Sequence, residues 1–600
     1  MKADNPVPVQ KTEDRQLHWQ EIAIVAVVHL ALALLATYPL LSHLDSAVTG
    51  GGDSVQNIWN LWWVRWAAAR GDLVPYHTHM LYHPTGVSLA FHTLGLLNGW
   101  MGVLLQAGLG LSLAAAYNVI TLATFVASGL AVYLLVRLLV GSPTAAFVAS
   151  IIFTFAPIRM SRVSFGNLNL YSTQFVPLAV LLAIAMLQTR QRRYAMLAAI
   201  ALAATTWISL ELALGTGLLI SLLLLFYIAV NRHELGAQWV EMAKTWGLFG
   251  LATLILVFPV ILPMILDSSD FRDQSNLLAA SDANNADLLS FFVPDSPTQP
   301  LITRISPTIA QAVNQMYGRF YGNPSEKTVF VGYIVLSLTA LTVLISRSST
   351  MRQWLAVAAV FFVLSLGPVL RVAGQPILDH LPYEWLNRIP LVGFDRTPSR
   401  FAIFLMLALA VVAGYGLAKL ETTHARFRLF TPVLGILIFV EFLIVPIRLD
   451  ARISKIPAYI SELSAAEDGR GAILDVPIDL IGAQGPAGNY MLYQIVHERP
   501  IVSGYISRSP RDVLWPFERP FLNELRARIY GDTAPYHFSE EALLQAREDL
   551  RLLQVGCVVL HKDELSDQDL QTVRTALETV LSTPDFEDDA LTVWKVDNTP

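Results

Sequence analysis

Long apolar runs separated by short polar stretches dominate the first 447 positions. They fall near 22–41, 94–112, 114–136, 144–157, 171–187, 194–208, 212–230, 246–266, 329–346, 354–370 and 401–419, and a last one ends at Pro446. Most approach the roughly 20 residues needed to cross the ~30 Å hydrocarbon core of a bilayer as a helix. From Arg448 the pattern changes. Residues 448–600 are charged and turn-rich, with short apolar runs at Ala472–Val476, Cys557–Leu560 and Leu591–Trp594 and helical periodicity near 539–554 and 565–581. Strands alternating with helices predict a small α/β domain. The expected fold is therefore mainly α, a polytopic transmembrane helical bundle of about 11–13 spans with a small extracytoplasmic α/β C-terminal domain.

Basic residues set the expected sidedness. Lys2, Lys11 and Arg15 place the tail 1–21 in the cytoplasm, and Arg190, Arg192, Arg193, Arg347, Arg352, Arg426 and Arg428 mark further inner loops. The transmembrane domain then covers 22–447, with outer loops at 43–92 and 267–328, and the domain 448–600 lies outside. Strict alternation conflicts with an outer first loop unless one segment fails to cross. The segment 94–112, carrying Gly95, Gly99, Gly102, Gly108 and Gly110, is the candidate, because glycine weakens a straight spanning helix.

Within the first loop, the stretch Gly50–Trp66 is too polar to span. Wound as a helix, it sets Asp53, Gln56, Asn57 and Asn60 on one face and Trp59, Trp62, Trp63 and Trp66 on another. Tryptophan favours the headgroup layer, so this helix is expected along the membrane surface.

Composition agrees with a membrane protein: of 600 residues, 54% are hydrophobic and 15% charged, with mean hydropathy +0.49. A net charge of -6 without a dense basic patch argues against nucleic acid as a partner. The single cysteine, Cys557, excludes an intramolecular disulfide and any cysteine-based zinc site, and its apolar surroundings predict a buried strand residue.

Candidate chemistry follows from where charge meets the membrane. Asp53 opens a helix behind three glycines, where it serves either as an N-cap or as a base or metal contact beside a lipid-linked substrate. His77, His79, His83 and His92 follow in the same loop. Their spacing matches no standard zinc motif, although His77 and His79 are metal candidates with Asp53. Glu211 lies at the outer boundary between two spans. The acidic loop 267–295 reads as a solvated loop. Late in the chain, Arg396 and Arg400 stand at the entrance of a span; guanidinium groups there either bind a lipid phosphate or snorkel to headgroups.

The sequence resembles the GT-C superfamily of polytopic glycosyltransferases, in its uncharacterised bacterial branch. The matching pieces are Gly52-Asp53 with Trp59-Asn-Leu-Trp-Trp63, Tyr82-His-Pro-Thr-Gly86, Tyr117-Asn118, Phe155-Ala-Pro157, Ala286-Asp-Leu-Leu289, Gly332-Tyr333 and Arg396-Thr-Pro-Ser-Arg-Phe401. Tyr490-Met-Leu-Tyr-Gln494, His497-Glu-Arg-Pro500 and Val558-Val-Leu-His561 extend it. The resemblance implies transfer of a sugar from a polyprenyl-phosphate donor to an extracytoplasmic acceptor (glycan, lipid or protein), with inversion, in the plasma membrane. It maps the first-loop acid onto Asp53, with Glu211 as a second acid, Arg396 and Arg400 on the donor phosphate, and a divalent cation as candidate cofactor. The sequence departs from that pattern in lacking a second acid beside Asp53. Two other readings stand beside it: a non-catalytic factor that binds or exports a lipid-linked glycan, and an ion-coupled transporter. The second would need charges in mid-span and two related halves, and neither is present.

Overall fold

The computed structural model describes residues 18–231, 236, 239–267, 281–294, 306–389, 396–465, 471–479, 486–508, 511–526 and 536–596. Six helices among them are long and apolar enough to cross a membrane: Trp19–Ala36, Leu113–Val140, Leu168–Thr189, Leu210–Asn231, Trp239–Leu266 and Pro398–Thr423. Pro143–Thr154 and Pro157–Phe165, bent by 40°, make a seventh if taken as one broken span. The chain is a mainly helical, multi-pass membrane protein. The count of about 11–13 spans read from hydropathy takes in the shorter helices Leu96–Leu109, Arg192–Ile208, Tyr333–Ile345, Ser349–Ser365 and Phe427–Phe442 as well.

The contacts divide the chain into two compact units. One comprises Met1–His43, Asn118–Pro259 and Gln274–Leu449; the other comprises Leu44–Tyr117, Val260–Asp273 and Asp450–Pro600. In the first, the helix Ala402–Thr423 is the centre, buried along almost its whole length. Small residues let neighbours approach it, the usual device of membrane helices. Gly414 faces Val136, Gly416 faces Thr342, and Phe404 lies over Gly215.

The second unit contains a four-stranded sheet. Ala472–Val476 runs parallel to Val555–His561, with Ile473 opposite Cys557, and Leu591–Lys595 continues the sheet antiparallel, followed by Phe586–Glu587. Leu474, Val476, Val558, Leu560 and Trp594 fill its core, and Cys557 is buried as expected. The helices Glu540–Leu552 and Asp567–Leu581 lie where their periodicity placed them, each opened by a serine cap, Ser539 or Ser566.

Two expectations about the first loop change here. The helix Ser54–Ala68 is not a surface helix, for it is buried on nearly every side. Its tryptophans stack on one another, Trp59 on Trp63 at 5.8 Å and Trp63 on Trp66 at 5.3 Å. The indole N–H of Trp59 donates to Gln494 Oε1 at 2.7 Å, and that of Trp63 to the Pro75 carbonyl at 3.0 Å. With protein acceptors for those N–H groups, the rings no longer need a wet interface. The glycines of the next helix have a packing role: a Cβ on Gly99 would stand 2.6 Å from Val64, and one on Gly102 would stand 3.2 Å from Leu61. They let Leu96–Leu109 lie against Ser54–Ala68. At 14 residues that helix is about 21 Å long, short of the ~30 Å core.

Candidate functional site

Asp53 follows Gly50 and Gly52, whose φ angles of 107° and 79° suit glycine, and it immediately precedes the helix. Its side chain makes no capping hydrogen bond, so the cap reading fails. Instead, half-buried, its Oδ1 accepts from the Tyr505 hydroxyl at 2.9 Å.

The polar stripe behind Asp53 explains how Tyr505 is held. Gln56, Asn57 and Asn60 are 3%, 4% and 1% exposed, so each must be paired within the protein. Gln56 Nε2 donates to the Tyr505 carbonyl at 3.4 Å, and its Oε1 accepts from the hydroxyls of Thr93 at 3.1 Å and Ser507 at 3.4 Å. Asn57 donates to the Asp53 carbonyl at 3.0 Å, and Asn60 Nδ2 donates to the Thr93 carbonyl at 2.9 Å. His92 completes the network. Its Nδ1 accepts from the Ser507 backbone N–H at 3.2 Å, which leaves Nε2–H to donate to Asn60 Oδ1 at 2.8 Å. Burial pushes its pKa down to about 3, in keeping with that neutral tautomer. Gln56, Asn60 and His92 thus pin residues 505–507 to the helix and aim Tyr505 at Asp53. Sequence reasoning missed Tyr505, His92 and Ser507 as partners of this stripe, because more than 400 positions separate Tyr505 from Asp53.

Of the metal candidates, His77 and His79 touch edge to face, with ring centroids 4.7 Å apart. Among the described residues no three His, Cys, Asp or Glu side chains gather to hold a metal ion.

The other candidates lie in the other unit. Glu211 occupies the first turn of Leu210–Asn231, where a carboxylate suits the helix dipole. Arg400 lies on the short 3-10 helix Pro398–Phe401 that leads into Ala402–Thr423, and Arg396 stands just before it, half-buried. The structure brings Glu211 and Arg400 together as an ion pair through Arg400 Nη1.

A residue not anticipated from sequence organises this cluster. Glu326, 2% exposed, receives Arg400 Nε and Nη2 on Oε1 at 3.2 and 2.8 Å, and the Ser399 hydroxyl on Oε2 at 2.7 Å. It also receives both terminal nitrogens of Arg162, at 2.9 and 2.6 Å, in a bidentate pair. Burial by itself would raise the Glu326 pKa, but the guanidinium groups of Arg162 and Arg400 hold the carboxyl down at about 2. Two arginines and two glutamates give the cluster no net formal charge. Among the described residues, Nη1 and Nη2 of Arg400 each keep one N–H unused by these bonds. Nor is the described stretch 281–294 of the acidic loop simply solvated, since Asp282 pairs with Arg371 at 2.6 Å and Asp287 is buried; Asp270, Asp273 and Asp295 lie outside the described residues.

No family model and no curated protein matches the sequence. Solved structures do match in fold. Arabinofuranosyltransferase AftD from Mycobacteria aligns with a TM-score of 0.55 at 13% identity, over 98% of this chain and 40% of its own. The oligosaccharyltransferase AglB from Archaeoglobus fulgidus (TM-score 0.49, 12% identity, 90% and 69% covered) and ArnT from Cupriavidus metallidurans (0.43, 12%, 96% and 98%) fall below 0.5. The fold therefore rests on the first of these, of whose length this chain spans about two-fifths. That likeness, at 13% identity, shows the fold alone: the chain shares the fold of the arabinofuranosyltransferase AftD.

Proposed function

We propose that this protein transfers a sugar from a polyprenyl-phosphate donor to an acceptor on the extracytoplasmic face of the plasma membrane, with its N-terminus inside and residues 448–600 outside. The observation that carries the reading is Asp53. On a GT-C fold, a half-buried carboxylate at the head of the first-loop helix is left uncommitted to capping and is oriented by a tyrosine hydroxyl. In this reading the Asp53 carboxylate takes the proton of an acceptor hydroxyl as its oxygen attacks the anomeric carbon from the face opposite the leaving group. The C1–O bond to the lipid phosphate breaks with inversion, and polyprenyl phosphate leaves. Tyr505 keeps the carboxylate in place. In the other unit, Arg396 and Arg400, the latter with its guanidinium plane fixed by Glu211 and Glu326, have the chemistry to bind a phosphate. This chemistry needs no nucleotide site.

The test is donor turnover by the purified protein in lipid, with a panel of polyprenyl-phosphate hexoses and pentoses; pentoses are included because the fold neighbour is an arabinofuranosyltransferase by name. Release of polyprenyl phosphate that disappears in Asp53→Asn supports the reading. A second reading, a factor that binds a lipid-linked glycan without turnover, is favoured by the neutralised state of Arg400. Folded protein that binds the lipid and turns over no donor would establish it instead.

A further inference from the structure

Between the helices Ser349–Ser365 and Ala402–Thr423 the chain forms a hairpin of Leu370–Val372 with Gln375–Leu378, followed by the single helical turn Tyr383–Asn387. The hairpin is firmly held on one side. Its two-residue turn has φ of 51° at Ala373 and 82° at Gly374, the conformation that matches strand twist. The N–H groups of that turn donate to Asp287 at 3.1 and 2.7 Å, and Arg371 grips Asp282 through two bonds of 3.0 and 2.6 Å.

Elsewhere on the hairpin and turn, large apolar side chains are exposed. Ile377, Leu378, Trp385 and Ile389 are 61%, 56%, 64% and 49% exposed. Four large apolar side chains clustered within 13 positions mark a surface that some apolar medium covers. Its distance from the bilayer is limited by a hydrogen bond: the Leu381 N–H donates to the Pro368 carbonyl at 3.0 Å. Pro368 is three residues beyond the end of the apolar helix Ser349–Ser365, a reach of at most about 10 Å. The chain entering the helical turn is thus tethered within about 10 Å of the end of an apolar helix. Trp385 suits the headgroup layer, its ring half in lipid and its N–H wet.

We propose that this hairpin and turn form an interfacial anchor whose occupant is the headgroup and upper acyl layer of the bilayer. It rests on no assumption about glycosyl transfer. The test starts from the full chain with its one cysteine removed (Cys557→Ala), carrying Ile377→Cys or, separately, Leu378→Cys. Each is labelled with bimane and reconstituted in phosphatidylcholine vesicles. Both positions are exposed, so neither substitution disturbs packing. Leu544→Cys, on an exposed helix face of the C-terminal region, is the aqueous reference. Shallow doxyl-labelled lipid should quench labels at 377 and 378 at least twofold more than the reference, and iodide should quench them at least twofold less. Iodide quenching equal to the reference, with none by doxyl lipid, overturns the anchor. Protection from both quenchers also overturns it, because a protein or a second copy of this chain would then be the occupant.

Discussion

Replacing Glu326 by Gln tests whether the arginine cluster is held as described. The variant keeps the shape and removes the charge, leaving the 1%-exposed Arg162 without its carboxylate. Breaking a buried pair from one side costs about 3–5 kcal/mol. The titration gives a second route to the same magnitude. The Glu326 pKa falls from 4.5 to about 2, and at about 1.4 kcal/mol per unit that is roughly 3 kcal/mol. Because the folded pKa is depressed, this stability is fully present above about pH 4.5. It is lost as the pH falls toward 2, since the unfolded chain takes up the proton first. Denaturant or thermal unfolding in nanodiscs, run on both proteins at pH 3, 4, 5 and 7, should show the largest gap at pH 7. The gap should narrow steadily below pH 4.5. An equal stability at pH 7, or a gap that does not change with pH, would refute the charge-coupled reading of the cluster.

Other outcomes follow from the same geometry. Tyr505→Phe should preserve the fold and lower donor turnover by about ten- to a hundredfold, one hydrogen bond to a charged group being worth about 1.5–3 kcal/mol; unchanged turnover would remove Tyr505 from the positioning of Asp53. Gly99→Ala should destabilise by about 1–3 kcal/mol through overpacking against Val64, and Val64→Ala should restore most of it, as a double-mutant cycle would read. Trp59→Phe leaves Gln494 Oε1 without the indole N–H and should cost about 1–3 kcal/mol in unfolding. His92, with its pKa lowered from 6.5 to about 3, stays neutral in the fold while the unfolded chain protonates. His92→Gln should therefore gain about 2 kcal/mol on the wild type between pH 7 and pH 5, and parallel stability curves would contradict its burial as a neutral ring.

Sequence by itself determined what depends on local pattern. Long apolar runs must be helices in lipid, because every backbone polar group there needs a partner within its own segment. They gave the helices near 114–136, 212–230 and 401–419 to within about a turn of their observed bounds, and that near 246–266 starting two turns late. The alternation of short strands with helices likewise gave three strands and two helices of the region after Arg448, but not the helices Tyr459–Ala465, Pro486–His497 and Pro520–Glu524. The same pattern placed Gln56, Asn57 and Asn60 on one face and singled out Asp53, Glu211 and Arg400.

Tertiary structure decided what those side chains meet. Amphipathicity cannot distinguish a tryptophan face against lipid from one against protein; that was settled by Gln494 and Pro75, which accept the indole N–H groups. Whether Asp53 caps its helix depended on Tyr505, and whether Gly99 weakens a helix or lets one approach depended on Val64. Glu326 carries no local signal, since a lone glutamate after a polar loop looks solvated until two arginines from distant helices close on it. Charge pairing and burial are properties of neighbours in space, and one-dimensional periodicity records only the neighbours along the chain.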